Sequence, residues 1–151
     1  MSAYIKSNNI LLKIGLEDYS LLTLLTNLLK TGSPSVDLSL SKQSAAYGEL
    51  VKGHFFIQGG RKSCKIKRLE CTLVKEYENG HTETVEEVTT ILMSRVINSE
   101  EKVELPFSYL ITDKLEPTAA DFTYRLHTNL VFAENMSRKD HDELVIVDNK
   151  E

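Results

Sequence analysis

The chain has 151 residues, of which 41% are hydrophobic and 26% charged, and a formal net charge of −4. Those proportions fit one globular domain able to bury a core, and they exclude a disordered chain or a helical membrane bundle. The acidic balance argues against nucleic acid as a partner, and no apolar run approaches the roughly 18–20 residues of a bilayer span.

The N-terminus offers Lys6 and Lys13, then a leucine-rich stretch over residues 16–29 interrupted by Thr23, Thr26 and Asn27. No small-residue cleavage site follows, so this is not the pattern of a secretory signal and the expected compartment is the cytoplasm. Residues 16–30 are predicted to form an amphipathic helix. Leu21, Leu22, Leu24, Leu25, Leu28 and Leu29 recur at three- and four-residue spacing, Asp18 suits the N-cap, and Gly32 with Pro34 stops the element. The expected organisation is an N-terminal helical segment over 1–32 and a β domain over 33–151. Glu17 and Asp18 at the start and only Lys30 at the end make the helix a poor membrane anchor. The leucine stripe suits packing on the domain's own exposed core edge; failing that, Leu21, Leu22, Leu25, Leu28 and Leu29 are candidate contacts for a protein partner, or for a second copy of the chain.

Everything after the helix reads as strand. Val36, Leu38 and Leu40 alternate with polar residues, and Val51, Gly53, Phe55 and Ile57 do the same until Gly59-Gly60 ends the run. Leu69, Cys71 and Leu73 alternate with Arg68, Glu70 and Thr72, while Ile66 has the opposite parity, which predicts a bulge near Lys67. Asn79-Gly80 predicts a two-residue type I′ hairpin placing Leu73 opposite Glu86, Cys71 opposite Val88 and Leu69 opposite Thr90. Pro106 within the run Val103, Leu105, Phe107 marks an edge strand or a bulged position. Phe122, Tyr124, Leu126, Thr128 and Leu130 form a further inward set, and a charged stretch over 137–143 precedes a short apolar run over 144–147. About seven short strands joined by turns imply an all-β fold, an antiparallel β-sandwich.

Catalytic patterns are missing. There is no Gly-rich phosphate loop, no G-x-S-x-G and no H-E-x-x-H, and no cofactor is implied. His54, His81, His127 and His141 are scattered without ligand spacing, so no metal site is expected. Cys64 and Cys71 have six residues between them along one extended segment and read as reduced apolar thiols. Glu83, Glu86 and Glu87 read as a solvated face. The remaining feature is a basic cluster of Arg61, Lys62, Lys65, Lys67 and Arg68. It could hold an anionic small ligand or lipid head group, although acidic neighbours such as Glu70, Glu76 and Glu78 also suit a plain solvated surface.

Several segments, taken in order, resemble the bacterial sporulation-control proteins of the SpoOM type. They are Ser35-Val36-Asp37-Leu38, Gly48-Glu49-Leu50-Val51-Lys52-Gly53, Ile57-Gln58-Gly59-Gly60 and Ile66-Lys67-Arg68-Leu69-Glu70-Cys71-Thr72-Leu73. Glu104-Leu105-Pro106-Phe107-Ser108-Tyr109, His127-Thr128-Asn129-Leu130 and the closing Asp140-His141-Asp142-Glu143-Leu144-Val145-Ile146-Val147 follow. The resemblance implies an arrestin-like sandwich and a non-enzymatic regulator that docks protein partners, with no catalytic residues to assign. Thr112 stands where such proteins usually carry a proline, and many of them continue into a second sandwich.

Overall fold

Residues 2–7, 10–15 and 32–149 are described by the structure, a computed structural model, the first two stretches by backbone alone. The predicted helix over 16–30 lies outside the described residues. The chain divides into two compact units, Met1–Ser33 and Pro34–Glu151. In the first, β1 (Ser2–Ser7) and β2 (Ile10–Gly15) pair antiparallel, with Ser2 opposite Gly15 and Ser7 opposite Ile10. The sequence reading, drawn to the leucines that follow, assigned no strand there.

In the second unit every regular element among the described residues is a strand. β3 (Ser35–Leu40), β5 (Leu50–Gln58) and β8 (Lys102–Leu110) form a three-stranded antiparallel sheet with β5 in the centre. The second sheet has the order β4-β10-β9-β6-β7. It is built from β4 (Ser44–Ala46), β6 (Cys64–Tyr77), β7 (Thr82–Ile97), β9 (Phe122–Phe132) and β10 (Ser137–Val147). β4 joins β10 in parallel, and the other pairs are antiparallel.

Alternation decides which side chains meet. Val36, Leu38, Val51, Phe55 and Ile57 from the three-stranded sheet enter one buried cluster with Leu69, Cys71, Leu73, Tyr124, Leu126 and Leu130 from the five-stranded sheet. Burying each large apolar side chain contributes about 1.5–3 kcal/mol, so this shared cluster is the main source of cohesion. The predicted inward set of β9 is buried throughout, Thr128 included. Pro106 lies opposite His54 on β8, an edge strand where a missing N–H costs little. Gly53 sits where β5 passes close to β3, and a Cβ there would run into the Ser39 carbonyl oxygen.

The hairpin between β6 and β7 departs from the expected turn. The Tyr77 N–H donates to the His81 carbonyl at 2.8 Å and the Gly80 N–H to the Tyr77 carbonyl at 2.9 Å, and Gly80 has φ +83°. Asn79 is not in the left-handed region, so the loop has three residues and closes on a glycine bulge instead of a type I′ pair. The extra residue shifts the pairing by one; Val85, bulged from β7, restores Leu73 opposite Glu86. Val88 bulges in turn, so Cys71 lies opposite Thr89 and Leu69 opposite Ile91, each one residue from the predicted partner. The bulge predicted near Lys67 is present against β9, where Lys67 is the extra residue between Ile66 and Arg68; against β7 the register also shifts there, but the extra residue belongs to β7. The hairpin between β9 and β10 repeats the three-residue plan, with Asn135 at φ +58° in the role of Gly80.

Candidate functional site

The basic cluster gathers at one corner of the five-stranded sheet. Arg61 and Lys62 lie exposed in the connection from β5 to β6, and Lys65 and Lys67 are exposed on β6. Ile66 and Leu69 both face the core, so the Lys67 bulge leaves Lys67 and Arg68 consecutive on the outer side. Arg68 bonds the Glu70 carboxylate, which its hydrogen bond holds below the usual range. Lys62, Lys65 and Lys67 have no ion-pair partner among the described residues. Across the ladder, Arg68 lies opposite Leu92 and Lys65 opposite Val96, and these two apolar residues are 79% and 52% exposed. Between them β7 bulges at Met93 and Ser94, with Ser94 at φ +43°.

The other half of β7 is acidic. Glu83, Glu86 and Glu87 are all exposed, as the sequence implies, yet each has a specific partner, Glu87 accepting from the Thr90 hydroxyl. The Tyr77 hydroxyl donates to Glu83 at 3.1 Å. The Tyr109 hydroxyl, on β8 of the other sheet, donates to Glu86, and burial followed by that bond pushes its pKa up.

A second titratable cluster escaped sequence reasoning. Arg138, Asp140 and Asp142 share the face of β10 that carries the buried Leu144 and Ile146. Asp140 Oδ2 accepts the Leu38 N–H at 2.7 Å, so a side chain closes the gap between β10 and the edge strand β3. Asp37 of β3 is raised by burial and then by the charge and hydrogen bond of Asp140. Asp142 is pushed up to about 7, first by burial, then by its hydrogen bond with Asp140 and the charges of Asp140 and Asp37. Its Oδ2 is buried without a hydrogen-bond partner. Carrying the alternation of Leu144 and Ile146 backward through the charged stretch would have found these residues.

Nothing among the described residues assembles catalytic geometry. His127 and His141 are cross-strand neighbours with ring centroids 4.1 Å apart, and burial holds His127 below the usual imidazole range. His54 stands 3.6 Å from Glu104 on the exposed face of the smaller sheet. No group of three or more His, Cys, Asp or Glu among the described residues could hold a metal ion. Cys64 and Cys71 are free thiols; burial pushes Cys71 up to about 12, which leaves it without thiolate character. Leu21, Leu22, Leu25, Leu28 and Leu29 lie outside the described residues. No helix among the described residues is long and apolar enough to cross a membrane.

Comparison with solved structures finds the sporulation control protein Spo0M of Bacillus subtilis, with a TM-score of 0.68 and 21% sequence identity. The alignment covers 76% of this chain and 49% of that one, so the chain spans about half the length of that protein. A CARDB domain from Pyrococcus furiosus, crystallised with di-metal ions, follows at a TM-score of 0.48 and 12% identity, covering 76% of this chain and 88% of that one. A superoxide reductase from Ignicoccus hospitalis also reaches 0.48, at 8% identity, with 81% and 87% covered. At those scores neither the metal ions of the one nor the activity of the other bears on this chain. No curated protein is matched by sequence. The model of the SpoOM protein family matches residues 25–150, and the chain belongs to that family.

Proposed function

We propose that the chain is a non-enzymatic regulator of bacterial sporulation or cell-cycle control, acting in the cytoplasm by binding another protein on an arrestin-like β-sandwich. The observation that carries this reading is the family match over residues 25–150. Two sheets sharing one core support the sandwich, and free strand edges support docking, because an edge offers unpaired backbone groups to an incoming strand. The leucine stripe supplies the second contact of the proposal. Six leucines at helical spacing need an apolar surface, and a partner can provide one.

The test is made in the native cells by replacing the chain with its Leu22→Glu, Leu25→Glu variant and counting heat-resistant spores. A change in spore number with the protein still folded and abundant supports the reading. Unchanged sporulation with both the variant and a full deletion would remove it.

A second reading has a specific observation behind it. Lys62, Lys65 and Lys67, without ion-pair partners among the described residues, could hold an anionic small ligand or lipid head group, with Arg61 beside them. Arg68 is already engaged by Glu70, which weakens the cluster as an anion site. Salt separates the two readings: a phosphate-holding cluster loses affinity steeply as salt rises, whereas an apolar contact barely responds.

A further inference from the structure

We infer that the outer face of the three-stranded sheet is a docking surface for a protein partner that lays an arginine side chain over Phe56, between Asp37 and Glu104. This rests on the regulator reading and names a surface and the chemistry of what covers it.

Alternation sends every second residue of this sheet away from the core. Asp37 of β3 and Glu104 of β8 each lie directly opposite Phe56 of the central strand β5, one on either side. All three are exposed, and Phe56 keeps 43% of its surface in solvent. Together they line a groove of about 460 Å³.

An aromatic ring between two carboxylates calls for positive charge, and the fold supplies little. Among the described residues no lysine or arginine pairs with either carboxylate, and Glu104 has only His54, 3.6 Å away. On its far side Asp37 meets another carboxylate: burial first, then the charge of Asp140 and a hydrogen bond with it, raise its pKa. Arginine answers this better than lysine, because its planar guanidinium stacks on a ring face and still presents N–H groups at its edges. β3 and β8 are two strand spacings apart, about 9–10 Å, so one guanidinium over Phe56 can reach a carboxylate on each side. Lys102, two residues from Glu104 on β8, lines the same groove without an ion-pair partner among the described residues. It repels a second basic residue, so the groove takes a single arginine and not a basic run.

The rest of the face points to a protein as the bearer of that arginine. A small ligand ordinarily buries about 70–90% of its surface, which a groove on the open face of a sheet does not provide. The same face has a second apolar spot, where Leu50 and Leu110 are cross-strand partners with 44% and 51% exposure. It lies six residues along β5 from Phe56, or about 20 Å. A partner protein covers both spots at once, and its arginine fixes which way round it sits.

The test titrates the full chain with an extended peptide of about nine residues, alternating serine and threonine, with arginine second and leucine eighth to match that span. NMR follows the Phe56 ring protons and the Leu50 and Leu110 methyl groups, whose shifts should saturate together. With peptide bound, the Asp37 carboxyl should titrate at lower pH, because a neighbouring cation favours its charged form. Citrulline in place of arginine keeps the shape without the charge and should weaken binding about tenfold. Phe56→Ala, and separately Asp37→Asn with Glu104→Gln, should each weaken it about tenfold. The circular-dichroism spectrum should stay the same in both, since these side chains are exposed.

No shift at Phe56, or equal affinity for the citrulline peptide, overturns the inference. Free arginine binding as tightly as the peptide overturns it in favour of a small ligand. Shifts that grow with protein concentration alone do so in favour of a second copy. If the chain carrying Asp37→Asn, Phe56→Ala and Glu104→Gln still captures its cellular partner, this face is not the contact and the inference fails while the regulator reading stands. If the face takes the arginine peptide but deleting the chain leaves sporulation unchanged, the face stands and the regulator reading fails.

Discussion

Replacing Asp142 by asparagine should stabilise the fold above neutral pH. Asp142 is raised to about 7 from the usual 3.8, burial being the largest cause and Asp140 the next. Below pH 3.8 both folded and unfolded chains hold the proton, so the carboxyl costs nothing. Between 3.8 and about 7 the unfolded chain releases it while the fold retains it, and stability falls as pH rises. Above 7 the cost is complete. That interval, at about 1.36 kcal/mol per pH unit, sets a ceiling of about 4 kcal/mol. Asp142 is only partly buried, and solvent screening reduces the realised cost to about 1–2 kcal/mol. Asp142→Asn should therefore gain about 1–2 kcal/mol at pH 8 and nearly nothing at pH 4, read from urea unfolding at each pH by circular dichroism. An equal gain at both pH values, or no gain at pH 8, would refute the idea that crowded carboxylates load this seam.

Three further substitutions probe the same framework. Asp140→Ala removes the acceptor of the part-buried Leu38 N–H and should cost about 1–3 kcal/mol, with faster exchange of that amide as the signature. Gly53→Ala would push a methyl group into the Ser39 carbonyl, a backbone atom that cannot step aside, and should cost about 1–3 kcal/mol in urea unfolding. The Tyr124 hydroxyl donates to the Glu116 carbonyl at 2.8 Å and ties down the connection between β8 and β9. Tyr124→Phe should lose about 1 kcal/mol and increase proteolytic nicking between residues 112 and 121, whereas a silent change would mean the contacts of Tyr47, Lys75 and Thr118 hold the loop without it.

Strands with one clean apolar face were legible in the sequence. Val51, Phe55 and Ile57, or Phe122 through Leu130, could face inward in only one way, because a one-residue slip would turn the whole set to solvent. The parity break at Ile66 announced its bulge for the same reason. β10 was harder to read, because Arg138, Asp140 and Asp142 occupy inward positions where a core residue is expected. Such inward charges defend an edge or serve a purpose, and they hide the period that identifies a strand. The turn at Asn79-Gly80 shows a different limit. The dipeptide located the hairpin, but Asn79 did not take the left-handed conformation, so two later bulges in β7 decided the register. The basic cluster was visible as composition; its apolar neighbours Leu92 and Val96 became part of the same surface only through cross-strand pairing.

The most direct test of the central claim is affinity capture from lysate of the native cells at low and high salt. The intact chain is compared with its Leu22→Glu, Leu25→Glu variant, both checked for an unchanged β-sheet circular-dichroism signal. The account predicts a protein partner that the intact chain captures and retains at high salt, and that the leucine variant loses. Capture of no protein by the intact chain under either condition would contradict it.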